Sequence, residues 1–500
     1  MHNKILSSID FAIKAINRID SRLFIFSTLC LSLLSFTVYS NEEAYFGLAK
    51  QYIDPNWIPG SFTFTEWVGT RLVFQNIAGF ALKFLSFEQL AAWGRAFSFL
   101  GYTFPLALLF KRLGISNFGI VILLTLFTWN GEMQHFFGKE WIFLSFESKV
   151  LAYIFVFWGY YFLLADKFHW ASLFAALASW LHILVGGWFF VLVVLYASVS
   201  KLPLKQLIQV GMLYLLAILP FIGYLSGHLA ESGPIINGVN IDWVYSFYRN
   251  AHHTAPMHTP RAFHNVLPRV VFSFSLLLLS IIYFRHIRDE HVHKLNRIAL
   301  ITLGIVFAGL LLTYIDGTGR FLKYYVFRIA SIGAFSYYIL ILLYSKMILT
   351  NHPYRLKART IGFIVIIPLF LTKVGINVNN LIHPKVNQEL IELTAYVSEH
   401  TRSRDVFLFL QEDELSFARL ARRESLIVFK FDPGGGDKIY EWYVRFKMKE
   451  HLQKDISYLD PITRKYRLDY LISRVPITYQ QLKEVYHNQK YYLYHVVHKA

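Results

Sequence analysis

The sequence has little charge for its length. Only 16% of its 500 residues are Asp, Glu, Lys or Arg, whereas 55% are hydrophobic and 18% are aromatic. Soluble domains carry about 25% charged residues, so the composition disfavours a soluble protein. The apolar residues form long blocks, and a block of about 18 or more is typical of a transmembrane helix. The sequence therefore predicts an α-helical polytopic membrane protein.

Cysteine is almost absent. The one cysteine, Cys30, lies inside the first apolar block, which excludes an intrachain disulfide and a cysteine-based metal site. Residues 1–22 are basic and mixed, and the first block has no clear small-residue cleavage site, so we interpret it as a retained span. The glycine-rich stretch DPGGGDK at 432–438 lacks the Lys-Ser/Thr of a phosphate-binding loop and predicts a turn. We find no internal repeat.

Acidic residues are fewer than basic ones, and the net charge is +17. In a membrane protein this excess follows from the Lys and Arg of cytoplasmic loops, so we do not expect nucleic acid as a partner. About eleven spans are predicted, at 22–40, 89–110, 114–130, 149–165, 168–182, 184–200, 206–226, 268–285, 297–315, 323–345 and 359–376. With the N-terminus in the cytoplasm every inner loop is basic, which places the C-terminus outside.

Three parts follow from this topology. Residues 1–21 form a cytoplasmic N-terminal segment, residues 22–380 a transmembrane domain, and residues 385–500 a small extracytoplasmic α/β domain. In that domain ELIELTAYVSEHT predicts a helix, and DVFLFL, SLIVFKF, LDYLISR and YYLYHVV predict short strands separated by helical stretches. Two outer loops are long, 41–88 and 227–267, and the first contains an aromatic-rich amphipathic stretch at 64–85. Residues 168–200 predict two short helices or a re-entrant loop that turns near His182 and Gly187.

Ionisable residues gather at the predicted outer ends of the spans. Ionisable groups at membrane depth are functional candidates because their desolvation must be offset. Carboxylates can act as a general base or hold a divalent cation, and Arg and Lys can bind a phosphate. The candidates are Glu42, Glu43, Glu140, Glu147, Lys149, His182, Arg249, His252, His253, Asp316, Arg320, Lys323 and Arg328.

Structural explanations stay open for several of them. Glu42 and Glu43 follow the first span and could mark a helix end, although an acid just past a helix C-terminus is unfavourable to the helix dipole. Glu147 and Lys149 are two residues apart, so on a helix they would point to different faces. Arg320, Lys323 and Arg328 could extend to lipid headgroups. His182 could be a hydrogen-bonded core histidine, and adjacent histidines such as His252 and His253 rarely bind one metal ion.

The chain resembles the GT-C class of membrane glycosyltransferases. The shared features are an acidic pair just after the first span, a long first outer loop, about eleven spans and an outward α/β domain. It is also similar to an uncharacterised bacterial family of GT-C-like proteins through five stretches, FESKVLAY (146–153), WLHILVG (180–186), YRNAHH (248–253), GRFLKYYVFR (319–328) and FARLARRESLIVFKF with YEWYVRF (417–446). Ser148, Ile183 and Ala251 stand where that family usually has proline.

The resemblance implies a reaction and roles for the candidates. A sugar would pass from a polyprenyl-phosphate donor to an unknown acceptor outside a bacterial inner membrane. Glu42 or Glu43 would be the catalytic base, with or without a divalent cation (Mg or Mn). Lys149, Arg320, Lys323 and Arg328 would bind the lipid phosphate, and Glu147, His182, Arg249, His252 and His253 would line the substrate pocket.

Two other functions fit a polytopic membrane protein. A flippase or exporter of a lipid-linked glycan would distribute charges through the depth of its spans and often contain repeats, whereas the charges here gather at one face. A non-catalytic membrane scaffold would leave the outer acids and cations scattered.

Overall fold

The protein is described from a computed structural model. The structure describes residues 2–64, 71–226, 235–259, 262–284, 289–350, 355–384, 386–433 and 436–497. Parts of several sequence predictions lie outside the described residues: 65–70 of the amphipathic stretch, 227–234 and 260–261 of the second long loop, 285 of the span at 268–285, 434–435 of the glycine-rich turn, and 385 and 498–500 of the C-terminal domain.

The described chain is mostly helical. Its helices are α1 (His2–Arg18), α2 (Ser21–Leu33), α3 (Ser40–Ile53), α4 (Leu72–Ala81), α5 (Phe87–Arg112), α6 (Asn117–Phe127), α7 (Ser148–Leu164), α8 (Phe168–Leu181), α9 (Ile183–Val199), α10 (Leu204–Ser226), α11 (Ile241–Trp243), α12 (Ala251–Thr254), α13 (Ala262–Phe284), α14 (Glu290–Ile315), α15 (Ala330–Thr350), α16 (Arg355–Ile382), α17 (Gln388–His400), α18 (Phe417–Ala421), α19 (Gly436–Lys454) and α20 (Leu459–Lys465). The strands are β1 (Ile235–Ile236), β2 (Val239–Asn240), β3 (Val406–Phe409), β4 (Glu424–Ser425), β5 (Tyr470–Ser473), β6 (Leu482–His487) and β7 (Tyr492–Val496).

Several helices are apolar enough to lie in a bilayer. Within the described ranges four helical segments are also long enough to cross one: Leu204–Ser226, Glu290–Ile315, Leu322–Leu349 and Leu356–Ile382. Seven more apolar helices are shorter: Ser21–Leu33, Leu72–Ala81, Asn117–Phe127, Ser148–Leu164, Phe168–Leu181, Ile183–Val199 and Val266–Ile282. These helices make the chain an integral membrane protein, as predicted. The number of spans and their orientation stay predictions.

The chain divides into two compact units. The first, which we call the helical unit, contains residues 1–36, 91–224 and 246–383. The second, which we call the sheet unit, contains residues 37–90, 225–245 and 384–500. The sheet unit therefore combines the C-terminal region with all of the predicted first outer loop, residues 41–88.

The sheet unit is built on a five-stranded mixed sheet with the strand order β4-β3-β5-β7-β6. Strand β3 pairs in parallel with β4 and β5, whereas β7 pairs antiparallel with β5 and β6. The core of the sheet unit lies between this sheet and two helices. It contains Leu393 and Val397 of α17, Phe407 and Phe409 of β3, and Phe417 of α18. The predicted C-terminal α/β fold is confirmed at this level.

In the helical unit, α8 and α9 meet at His182, where the sequence predicted a turn. Gly186 of α9 lies against α8, because a Cβ placed on it would lie 2.2 Å from Ser179 Oγ, 2.3 Å from Ser179 N and 2.6 Å from Ala175 O. The two helices thus fold back on each other and approach closely where Gly186 has no side chain.

We expect Gly186→Ala to destabilise the helical unit by about 1–3 kcal/mol, because backbone atoms cannot make room for the methyl group without moving a helix. The measurement is thermal unfolding in detergent. Gly187→Ala is the matched control, since its Cβ would meet only Tyr214 Oη, at 3.8 Å. Equal melting temperatures for the two variants would contradict the close packing of α8 and α9.

Candidate functional site

A buried carboxylate, Glu140, lies in the loop between α6 and α7 of the helical unit. Gly138 and Lys139, immediately before it, both have left-handed backbone angles, with φ of 75° and 48°. A Cβ on Gly138 would lie 2.6 Å from Phe327 Cβ, so only glycine fits there. This tight turn directs Glu140 inward, where it is 1% exposed.

Three cationic or ionisable side chains from different segments surround Glu140. Arg328 Nη1 donates to Glu140 Oε2 at 2.5 Å, and Lys149 Nζ lies 3.5 Å from the same oxygen. His253 Nδ1 lies 3.4 Å from the other oxygen, Oε1. Burial alone would raise the pKa of Glu140, but Arg328, Lys149 and His253 outweigh it and hold the pKa well below its usual range. Glu140 is therefore ionised. We call Glu140, Glu147, Lys149, His253 and Arg328 the Glu140 cluster.

Lys149 joins the two carboxylates of this cluster. Its Nζ lies 3.1 Å from Glu147 Oε1 and 3.6 Å from the centre of the Trp141 ring. The expectation that Glu147 and Lys149 point apart is wrong. Glu147 is the N-cap of α7, with an extended backbone of φ −150° and ψ 173°, so helical spacing does not apply to the pair.

Arg328 lies near the start of the apolar segment Leu322–Leu349, in the 3₁₀ turn Val326–Ile329 that precedes α15. The sequence placed it inside a span at 323–345, and that placement stays a prediction. Tyr325, which precedes this turn, has a left-handed φ of 52°. The Arg328 guanidinium lies over the Tyr325 ring at 4.7 Å. Such strain in a residue other than glycine is typical of functional loops.

The other predicted binding residues lie on nearby segments of the same unit. Asp316 accepts backbone hydrogen bonds from Arg320, Phe321 and Leu322 and so orders the loop that carries Arg320, which is exposed, and Lys323, which is half-buried. Arg249 is buried, and its Nη1 donates to Asn250 Oδ1 at 3.3 Å.

The predicted histidines differ in their surroundings. His182 is the N-cap of α9, where its Nδ1 accepts from Val185 N at 3.4 Å, so it has the structural role that the sequence left open. His252 and His253 lie on α12, and the centres of their rings are 4.0 Å apart. Within the helical unit the Glu140 cluster thus unites Glu147, Lys149, His253 and Arg328 from the predicted set.

The acidic pair Glu42 and Glu43 belongs to the sheet unit and begins a helix. The sequence placed the pair just after the end of the first span. However, α2 ends at Leu33, and the pair lies in the first turn of α3. Acids in a first turn are stabilised by the helix dipole. Glu42 Oε2 accepts from Tyr39 N at 2.8 Å, which caps the helix.

Glu43 is bound by an arginine that the sequence analysis assigned no role. Arg419 Nε lies 3.1 and 3.0 Å from the two carboxylate oxygens of Glu43, and Arg419 Nη2 donates to Oε1 at 2.9 Å. Arg419 Nη1 also donates to Glu88 at 2.6 Å. Burial raises the pKa of Glu43, and Arg419 opposes that shift.

A second buried acid, Glu424, holds residues 61–63 of the predicted first outer loop within the same unit. Its carboxylate accepts hydrogen bonds from Ser61 Oγ, Phe62 N, Thr63 N and Thr63 Oγ1. Phe62 also lies under the Arg445 guanidinium at 3.9 Å. These contacts fix residues 61–63 on the C-terminal part of the sheet unit and give Glu424 a structural role.

The described side chains form no cluster of metal ligands. Among the residues that the structure describes, no group of three or more His, Cys, Asp or Glu side chains could hold a metal ion. The divalent cation that the resemblance left open stays a prediction.

Comparison with solved structures finds the crystal structure of ArnT from Cupriavidus metallidurans bound to undecaprenyl phosphate. The similarity covers 97% of this chain and 97% of that chain, with a TM-score of 0.46 and 12% sequence identity. No family model matches the sequence, and no curated protein matches it. The residue roles proposed below rest on the side-chain geometry of this chain.

Proposed function

We propose that this chain is an integral membrane glycosyltransferase of the GT-C type. It transfers a sugar from a polyprenyl-phosphate donor to an acceptor on the outer face of the membrane. In this proposal about eleven spans place the N-terminus in the cytoplasm of a bacterium and the sheet unit outside the inner membrane. The proposal rests on one observation: Lys149 and Arg328 lie beside the same carboxylate oxygen of Glu140 in the Glu140 cluster.

A lipid phosphate requires cations at the level where the bilayer meets water. Lys149 and Arg328 are 4% and 9% exposed, and charges at such buried positions interact more strongly than charges in water. Arg328 offers a planar fork that suits a phosphate, and Lys149 offers a point charge. Lys149 lies in the first turn of α7, and Arg328 lies just before α15. Both helices are apolar, so we place the two charged groups at the ends of spans.

The other candidate residues receive roles in the same proposal. Arg320 and Lys323 lie on the Asp316-ordered loop that leads to Arg328, and we assign them to the phosphate as well. We assign Glu147, His182, Arg249, His252 and His253 to the substrate pocket. His182 also caps α9. Glu42 or Glu43 is proposed as the base that takes the proton of the acceptor hydroxyl.

We expect Lys149→Met and Arg328→Lys each to lower kcat/KM for sugar transfer by about 100- to 1,000-fold, the usual effect of removing one preorganised donor to a developing charge. Arg328→Lys keeps the ion pair with Glu140 but loses the fork. The measurement is transfer or hydrolysis from a panel of polyprenyl-phosphate sugars by the purified protein.

Lys205→Met is the control, because Lys205 is an exposed cation at the start of α10. It is expected to match the unmodified chain. The proposal fails if the unmodified chain transfers sugar from no donor and both site variants bind polyprenyl phosphate as tightly as the unmodified chain does.

A further inference from the structure

The contacts of His253 fix which ring nitrogen carries its proton. Nδ1 lies 2.6 Å from the carbonyl oxygen of Gly138 and 3.4 Å from Glu140 Oε1. Both neighbours are hydrogen-bond acceptors, so Nδ1 carries the hydrogen in either protonation state. In the neutral ring, Nε2 therefore has the lone pair and points away from Glu140.

The His253 ring is not fully enclosed. The His253 side chain is 19% exposed, whereas Glu140 is 1% exposed. Nε2 makes no hydrogen bond to the residues that the structure describes, whereas Nδ1 is fully engaged. A ligand at the edge of the Glu140 cluster would thus meet an unsatisfied nitrogen.

The charges of the Glu140 cluster balance without a ligand. Lys149 and Arg328 carry two positive charges, and Glu140 and Glu147 carry two negative ones. A bound phosphate adds negative charge that this set does not neutralise. His253 is the member of the cluster whose charge can change near neutral pH.

The titratable and charged groups that face His253 come from four segments. Glu140 lies in the α6–α7 loop, with Lys149 of α7 behind it. Arg328 and Tyr325 lie in the loop before α15, and His252 lies on α12 itself. His135, also in the α6–α7 loop, acts at longer range. Burial lowers the pKa of His253, Glu140 opposes that shift, and Arg328 adds to it. The pKa of His135, which burial and Arg269 lower to about 3, keeps that ring neutral.

We propose that His253 takes up a proton when a phosphate group binds to the Glu140 cluster, so that Nε2–H donates a hydrogen bond to a phosphate oxygen. The proton comes from solvent, and no covalent bond forms or breaks. This inference rests on the proposed function, since it takes Lys149 and Arg328 as phosphate ligands. If His253 gains a proton on binding, its pKa is higher with the ligand than without it. The affinity for phosphate therefore rises as the pH falls from the higher of these two pKa values to the lower one.

The test is calorimetric titration of the full chain in detergent with a short-chain prenyl phosphodiester, in buffers of different ionisation enthalpy. A phosphodiester has no proton that titrates near neutral pH, so any uptake belongs to the protein. We expect uptake of about one proton per bound ligand near pH 7. His253→Asn should abolish the uptake, because Asn can still donate to the Gly138 carbonyl but has no ionisable nitrogen.

His264→Asn is the control, since His264 is exposed on α13, and it should keep the full uptake. Binding without proton uptake, or equal uptake by His253→Asn, would overturn the inference. Failure of the unmodified chain to bind any phosphodiester would instead overturn the proposed function. Dimethyl phosphate serves as a second ligand: uptake with both ligands assigns the effect to the phosphate group, and uptake with the prenyl ligand alone assigns it to a lipid phosphate.

Discussion

Replacing Glu140 by alanine is expected to lower the free energy of unfolding of the helical unit by about 3–5 kcal/mol, because it removes the buried carboxylate that Arg328 and Lys149 share. Glu140 is 1% exposed and its two oxygens contact Arg328, Lys149 and His253. The measurement is unfolding in detergent by heat or urea, followed by tryptophan fluorescence.

A double variant separates stability from binding. Glu140→Leu with Arg328→Met replaces both members of the shortest pair by apolar groups, and such replacements are often neutral. We expect it to recover most of the stability that Glu140→Ala loses and to bind no polyprenyl phosphate. Glu132→Ala is the matched control, because the carboxylate of Glu132 pairs with Arg269 but is 54% exposed. That change should cost less than about 1 kcal/mol. Equal losses for Glu132→Ala and Glu140→Ala would contradict a buried charge cluster.

The C-terminal sheet shows what the sequence pattern could predict. Strands β3, β5 and β7 are short apolar runs and were predicted. Strand β6 was missed because it is an edge strand with Lys483, Glu484 and His487, and a register shift falls between Glu484 and Tyr486. The run at 425–431 was predicted as a strand but pairs only at Glu424–Ser425. Leu426, Ile427 and Val428 are buried, which accounts for their apolar side chains. A buried apolar run need not pair as a strand, and this one does not.

The site shows a different limit. Sequence patterns marked Lys149, His253 and Arg328 as ionisable residues near the ends of spans, which follows from the cost of burying charge. They could not reveal Glu140 as the common partner, because its contact with Arg328 joins residues 188 positions apart. They also placed the end of the first apolar helix at residue 40, because its end at Leu33 is not visible in a continuous apolar block. The alternative that Glu42 and Glu43 mark the end of a helix is therefore wrong, since the pair begins α3.

Arg419 was missed for the same reason. Its partner Glu43 lies 376 positions away, although Arg419 falls within a stretch that the resemblance had marked. A pairing of opposite charges between the first outer loop and the C-terminal region is a signal that a set of related sequences would provide through correlated changes.

The second large effect is expected at Glu43. If this carboxylate takes the proton of the acceptor hydroxyl, Glu43→Gln should lower the rate of sugar transfer by about 100- to 10,000-fold, the usual contribution of a general base. Glutamine keeps the shape of the side chain and can still accept from Arg419, so folding should be retained. Glu42→Gln should have a small effect, because its amide oxygen can still cap α3 at Tyr39 N.

Arg419→Met distinguishes a base from a structural ion pair through the pH dependence of transfer. Burial raises the pKa of Glu43 and Arg419 opposes that shift, so the loss of Arg419 should raise the pKa further. A base must be deprotonated, and the acidic limb of the rate profile should therefore move to higher pH, with full activity approached only above the new pKa. If instead Glu43→Gln and Arg419→Met lose transfer in proportion to their loss of folded protein, with the acidic limb unmoved, Glu43 is a structural partner of Arg419. The acceptor would then be activated by another group, and the acidic pair after the first span would serve to begin α3 and to hold the first outer loop to the C-terminal region of the sheet unit.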